Sequence, residues 1–241
     1  MAIGLRIVQA LLKPARKIPP ACARHPRVLG LAVLLFVAGI ILAHQVGDNF
    51  HAVIPNRVYR SGQLSGKSLE HYIMYYHLRS IINLRGPNPE DEWYQIECGS
   101  AAHLGVQHYD VPIDSGCPPN PDELRDLVTV LQKCPKPVLL HCQSGIDRSG
   151  IAAAISRLLL DDTVTPAEAK SQFRLLYGHF PWRESTAKHK AFLDLYEAWL
   201  TENGLPTSSS RFREWALNVY NPPPELDNRV ISGLLPPASD N

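Results

Sequence analysis

Residues 141–150 read His141-Cys142-Gln143-Ser144-Gly145-Ile146-Asp147-Arg148-Ser149-Gly150, and no other stretch is as well suited to chemistry. The apolar run Val138-Leu139-Leu140 leads into it and Ile151-Ala152-Ala153-Ala154-Ile155 follows, which predicts a buried strand, a loop and the first turns of a helix. Several backbone N–H groups of such a loop point the same way and the helix dipole adds positive potential, which makes an anion site suited to phosphate. A thiolate at Cys142 is stabilised there by those amides and by the Arg148 guanidinium six positions on, and is a competent nucleophile. The planar fork of Arg148 suits two phosphoryl oxygens and holds them best as charge redistributes in the transition state. Gly145 lets the loop backbone approach the phosphate, and Gly150 lets the helix start pack closely.

A loop of this kind needs a sheet behind it. Val58-Tyr59-Arg60 is a short β-prone run, and Ser65 precedes helical spacing at Leu69, Tyr72, Ile73 and Tyr76. Ser80 to Leu84 is a second strand, 90–104 a helix stopped by Gly105, and Gln107 to Ile113 a third strand. Asn120 is a plausible N-cap for a helix over 121–132 with Pro121 at its first position, and Pro137 to Leu140 is the strand before the loop. Strands alternating with helices predict an α/β fold, a central mostly parallel sheet flanked by helices. Helices alone are expected after the loop, over 149–160, 166–177 and 186–202. Beyond Gly204 the composition turns to Pro, Ser and Asn, which reads as a loosely packed tail with one amphipathic piece near Phe212 to Val219.

The ten residues match HCxxGxxR[ST]G, and through them the chain resembles the protein tyrosine/dual-specificity phosphatase superfamily. The likeness runs over about residues 50–200, includes VYRSGQ at 58–63, IINLR at 81–85 and a DxxxPP turn at 114–119, and is closest to small atypical bacterial and plant dual-specificity enzymes. The resemblance implies hydrolysis of phosphomonoesters through a phosphocysteine on Cys142. It assigns phosphate binding to Gln143, Ser144, Gly145, Ile146, Asp147 and Arg148, loop orientation to His141, and assistance to the departing sulfur to Ser149. It also implies an aspartic acid/base, for which Asp114 is the first choice and Asp110 the alternative. Many relatives carry the acid three residues before the Pro pair, where this chain has Ser115. Neither metal nor cofactor is implied, and the histidines show no ligand spacing such as HExxH.

The expected partner is a phosphorylated protein or a small phosphomonoester. Asp147 beside the loop is expected to repel a multiply charged ligand and to favour phosphotyrosine or another monophosphate, although His179, Arg183, Lys188 or Lys190 could reach the rim. Two other functions compete: a phosphate-binding module without turnover, and a phosphatase for a non-protein phosphate such as a phosphoinositide. A rhodanese-like sulfurtransferase also places a cysteine before a helix, but its loop lacks the Arg-Ser-Gly that follows here. Cys117 is a candidate disulfide partner for Cys142 in an oxidising compartment, against ordinary thiol packing for Cys98, Cys117 and Cys134.

The 241 residues are 45% hydrophobic and 20% charged, with 24 Lys and Arg against 23 Asp and Glu, so a dedicated nucleic-acid binder is not expected. Six of the basic residues and none of the acids lie in residues 1–43, which leaves 18 basic against 23 acidic groups in the rest. Val28 to Ala43 is sixteen residues without charge behind that basic stretch, and reads as a hydrophobic membrane segment. The expectation is three regions: a leader and single-pass signal anchor over 1–47, the catalytic domain over 48–204, and a tail over 205–241. The positive-inside rule would put the catalytic domain on the extracytoplasmic side, with a cleaved secretion signal as the alternative.

Overall fold

The structure, a computed structural model, describes residues 48–226 and, in the N-terminal segment, Val28, Gly30, Leu31, Leu34, Leu35 and Gly39, which are helical. The chain divides into two units, Met1–Leu42 and Ala43–Asn241. In the second unit five strands, β1 His51–Ile54, β2 Val58–Ser61, β3 Ser80–Asn83, β4 Gln107–Asp110 and β5 Val138–His141, form one sheet in the order β1-β2-β5-β3-β4. Strands β2, β5, β3 and β4 are mutually parallel, and β1 folds back antiparallel on β2. Around them lie helices α1 Gly66–Tyr76, α2 Glu92–His103, α3 Pro121–Lys133, α4 Asp147–Leu160, α5 Pro166–Ala169, α6 Glu184–Glu202 and α7 Ser209–Asn218.

Strand side chains alternate between faces, and here both faces are apolar. Val58, Ile82, Val138 and Leu140 join a core with Leu127 of α3, Ile151 and Ile155 of α4 and Phe192 of α6. Tyr59, Ile81 and Leu139 join a second core with Leu69 and Ile73 of α1 and Ala101 of α2. Continuing the same alternation past Leu140 turns His141 toward α2 and Cys142 toward α4. A one-residue slip of β5 would exchange them, so the packing of three apolar side chains fixes which way the sulfur points. Helix α3 starts as its sequence predicts: Asn120 Oδ1 accepts from the Asp122 and Glu123 amides, each at 2.9 Å, and Glu123 Oε2 accepts from the Asn120 amide at 2.8 Å.

Three sequence expectations need correction. The helix expected over 166–177 breaks into α5 and two short 3₁₀ turns, Lys170–Gln172 and Leu175–Tyr177. The Gln172 carbonyl accepts from Arg60 Nη1 at 3.0 Å, a bond made with β2 in place of a continuing helical ladder. The region read as a loose tail contributes α7, whose Phe212, Trp215 and Ala216 are buried with Tyr220 in the first core, and Tyr220 OH donates to Pro119 O at 2.8 Å. Residues 227–241 lie outside the described residues. Finally, among the described residues no helix is long and apolar enough to cross a membrane. The expectation of a single-pass anchor is therefore withdrawn, and with it the membrane as a partner and the extracytoplasmic placement. Most of the apolar run from Val28, and the cleavage site of the signal alternative, lie outside the described residues.

Candidate active site

Residues 142–148 connect the end of β5 to α4. The backbone carbonyls of residues 143–146 are all claimed by the scaffold. Gln143 O accepts from the Gln63 amide at 3.0 Å, and Ser144 O and Gly145 O accept from Asn49 Nδ2 at 3.1 and 2.9 Å. Arg60 Nη2 donates to Gly145 O at 2.8 Å and to Ile146 O at 3.1 Å. The amides of residues 143–148 donate to no group among the described residues, which leaves them available to an anion. Gly145 has φ +71°, and a Cβ there would stand 2.6 Å from the Gly62 amide nitrogen, which is why only glycine fits.

Cys142 is 2% exposed at the floor of the loop, and Ser149 Oγ lies 3.6 Å from its sulfur. Arg148 is half-buried and its guanidinium has no hydrogen bond or ion pair among the described residues. Gln143 and Ser144 are exposed at the loop's tip. Asp147, by contrast, faces away: its Oδ2 meets Arg183 Nη2 at 3.0 Å and its Oδ1 accepts from Ser185 Oγ at 2.9 Å. The repulsion of multiply charged ligands expected from Asp147 is thereby largely cancelled by its own ion pair. Of the other rim cations the sequence offered, His179 and Lys188 are buried and Arg183 is taken by Asp147.

His141 points to α2, where its Nε2 meets Glu97 Oε1 at 2.9 Å. The same carboxylate meets His108 Nε2 at 2.8 Å and accepts from Gln63 Nε2 at 2.7 Å. Burial alone would raise the Glu97 carboxyl, but the hydrogen bonds with His108 and His141 outweigh it and hold the group at about 2. The two candidate acids differ in how they are held. Both oxygens of Asp110 are occupied, Oδ1 by Asn83 Nδ2 at 2.7 Å and Oδ2 by Tyr94 OH at 2.5 Å. Among the described residues Asp114 engages only Oδ1, which accepts from the Gly116 and Cys117 amides at 2.6 and 3.2 Å and shapes its own turn. The Cys117 carbonyl of that turn lies 3.2 Å from His189 Nε2 on α6. Cys98, Cys134 and Cys142 are free thiols.

Residues 39–187, more than half of the chain, match the model of the family described as DSP-PTPase phosphatase fused to NAD+ kinase. The chain belongs to this family. It is thus a phosphatase of the cysteine-dependent protein tyrosine/dual-specificity superfamily. Among solved structures, it is 22% identical to the core catalytic domain of the PP-IP phosphatase SIW14 from S. cerevisiae, over 65% of this chain and 93% of that one, with a TM-score of 0.49. TpbA of P. aeruginosa is 16% identical over 64% of this chain and 92% of its own, with a TM-score of 0.45. PTPMT1 is 18% identical over 64% and 99%, with a TM-score of 0.44.

Sequence reasoning passed over several residues of the phosphatase that hold its loop. Arg60 is wholly buried, Asn49 precedes the first strand, and Glu97 stands on a helix read only for its length. The available signal was a full-length cation inside the short β-prone run Val58-Tyr59-Arg60, because such a group is almost never fully buried without a task. Burial lowers the Arg60 guanidinium to about 10, still charged at neutral pH. Behind the loop, His179 packs so closely on Gly150 that a Cβ there would lie 2.5 Å from its Nε2.

Burial, and then the nearby Arg60 charge, lower His179 to about 3, and burial also lowers His189. Both rings are neutral in the folded protein at pH 7, whereas in the unfolded chain they take up protons below about 6.5. Stability contributed by neutral burial is complete above pH 6.5 and is lost as pH falls, for His179 down toward about 3 at about 1.4 kcal/mol per pH unit, and His189 acts in the same direction. Glu97 adds to the loss from about pH 4.5 down to about 2. Urea midpoints measured from pH 7.5 to 4 are expected to fall steadily below 6.5, and a flat profile down to pH 5 would contradict this account.

Proposed function

We propose that this phosphatase hydrolyses phosphomonoesters, phosphotyrosine foremost, through a phosphocysteine on Cys142. The observation that carries the reading is the division of the loop: its carbonyls are tied outward to Asn49, Arg60 and Gln63, and its amides and the Arg148 fork are left for one tetrahedral anion. The sulfur attacks phosphorus in line, an S–P bond forms and the P–O bond to the leaving group breaks as Asp114 gives that oxygen its proton. The Asp114 carboxylate then takes a proton from water, whose oxygen attacks phosphorus while the S–P bond breaks and inorganic phosphate leaves. Ser149, 3.6 Å from the sulfur, donates to the thiolate as it departs. None of these steps calls for a metal.

The test is hydrolysis of 4-nitrophenyl phosphate by the full chain in reductant with EDTA. Turnover equal to that without chelator is expected, and activity abolished by EDTA and restored by a divalent ion would overturn the reading. A folded protein that binds phosphate without turnover would instead be the binding module.

A second reading, a substrate with two phosphoryl groups, is favoured by Arg85. Leu84 N donates to His141 O at 2.9 Å, which sets Arg85 beside the start of the loop. Its guanidinium stacks 3.6 Å from the Trp93 ring, donates to Gln63 Oε1 at 3.0 Å and has no ion pair among the described residues. Including a phosphotyrosyl peptide and an inositol bisphosphate in the same assay separates the two readings by kcat/KM.

A further inference from the structure

A groove of about 760 Å³ opens on the helical side of the molecule, and none of residues 141–150 lines it. Its wall carries four cations, Arg157, Lys170, Arg174 and Lys190, against one carboxylate, Glu168. The local partners of these groups are unequal. Glu168 caps its own helix, where Oε2 accepts from the Thr165 amide at 2.8 Å and from Thr165 Oγ1 at 3.0 Å, and its charge also faces Arg157. Lys170 pairs with Asp194 at 2.5 Å and Glu197 at 3.0 Å. Arg157 is steered into the groove by bonds from Nη1 to Glu168 O at 3.0 Å and to Ser171 Oγ at 2.9 Å, neither of which neutralises its charge. Arg174, exposed, and Lys190, half-buried on α6, have no ion pair among the described residues. Glu168 and Asp161 offset part of the Arg157 charge, but four cations against one lining carboxylate, with Arg174 and Lys190 on separate elements left without an ion pair among the described residues, give the concave surface a positive excess that raises potential there and draws in an anion.

We propose that this groove is a second anion-binding site, separate from the catalytic loop, that takes a compact polyphosphate group. Two guanidinium forks favour phosphoryl oxygens, and an excess of cations over carboxylates in a volume larger than one phosphate favours a ligand with more than two negative charges. The inference does not depend on the reading of the catalytic loop. The groove does border the segment that braces it: Lys170 and Arg174 flank Gln172, whose carbonyl is held by Arg60, and Tyr177, whose carbonyl accepts from Asn49 Nδ2 at 3.3 Å, lies three residues beyond Arg174.

The experiment is calorimetric titration of inorganic pyrophosphate into the full chain at 0.15 M salt, in a Cys142→Ser background so that nothing turns over. Two equivalents are expected. Adding Arg174→Ala with Lys190→Ala should remove one of them, weakening it at least about tenfold, while adding Arg148→Ala instead should remove the other and leave the groove site. The double groove variant, made at residues outside the catalytic loop, should keep the thermal midpoint and, with Cys142 intact, the kcat/KM for 4-nitrophenyl phosphate. A single equivalent that vanishes with Arg148→Ala and is untouched by the groove substitutions would overturn the proposal, as would no binding at all. Loss of wild-type turnover with the groove equivalent intact would count against the catalytic reading alone.

Discussion

Cys142→Ser is expected to lower turnover of 4-nitrophenyl phosphate by at least about four orders of magnitude, the scale seen when a covalent nucleophile is removed. The side chain is nearly isosteric and 2% exposed in a core that includes Ile151 and Ala152, so folding should survive the change. What disappears is the nucleophile: a serine hydroxyl ionises far less readily than a thiol and no histidine or carboxylate is bonded to that position. The amides of residues 143–148 and Arg148 remain, so phosphate or vanadate should bind the variant as before. Acid quench of the wild-type enzyme with radiolabelled substrate should trap label on Cys142, and the variant should trap none. Residual activity above about one per cent of wild type would mean that another group attacks phosphorus.

Asp114→Asn should reduce kcat by about 10²–10⁴, the range for loss of a positioned general acid, and should flatten the alkaline limb of the pH–rate profile. Asp110→Asn should behave differently. Both Asp110 oxygens accept, from Asn83 and Tyr94, and an amide would face one of those donors with its own N–H₂. The expected cost is about 1–3 kcal/mol of stability with kcat little changed. Aryl phosphates with poorer leaving groups should widen the Asp114→Asn defect, because they depend more on the transferred proton. A larger kcat loss in a fully folded Asp110→Asn protein would reverse the assignment.

The loop was legible because its residue types and spacing are local: ten adjacent residues carry the strand end, the glycine turn, the cysteine and the arginine. The sheet was legible too, since alternating apolar residues at Val58-Tyr59, Ile81-Ile82 and Leu139-Leu140 write their two faces directly into the chain. What stayed hidden depends on partners far away in sequence. Asn49 meets Gly145 across 96 positions, Arg60 meets it across 85 and Glu97 meets His141 across 44, and no short window of the chain contains both ends of any pair. The 166–177 stretch has helical periodicity, but a carbonyl inside it bonds Arg60, and that tertiary bond wins over local propensity. Asp147 misled for the same reason: its charge was visible and its partner Arg183, 36 positions on, was not. The apolar run at Val28 to Ala43 read as a membrane anchor, a reading withdrawn because no described helix meets the length and hydropathy that spanning needs.

The residues assigned to the chemistry all lie after position 110, yet the loop that serves them is fastened by a hairpin that ends by position 62. Asp48 O accepts from the Gly62 amide at 2.8 Å, Asn49 reaches the carbonyls of Ser144, Gly145 and Tyr177, and Arg60 clasps both the loop and Gln172. Catalytic machinery and its clasp are thus encoded far apart in the domain. A piece of the gene that began after the hairpin would still spell the whole signature and would yield a loop whose outward carbonyls had lost their donors. The two segments can only be inherited, transplanted or redesigned together.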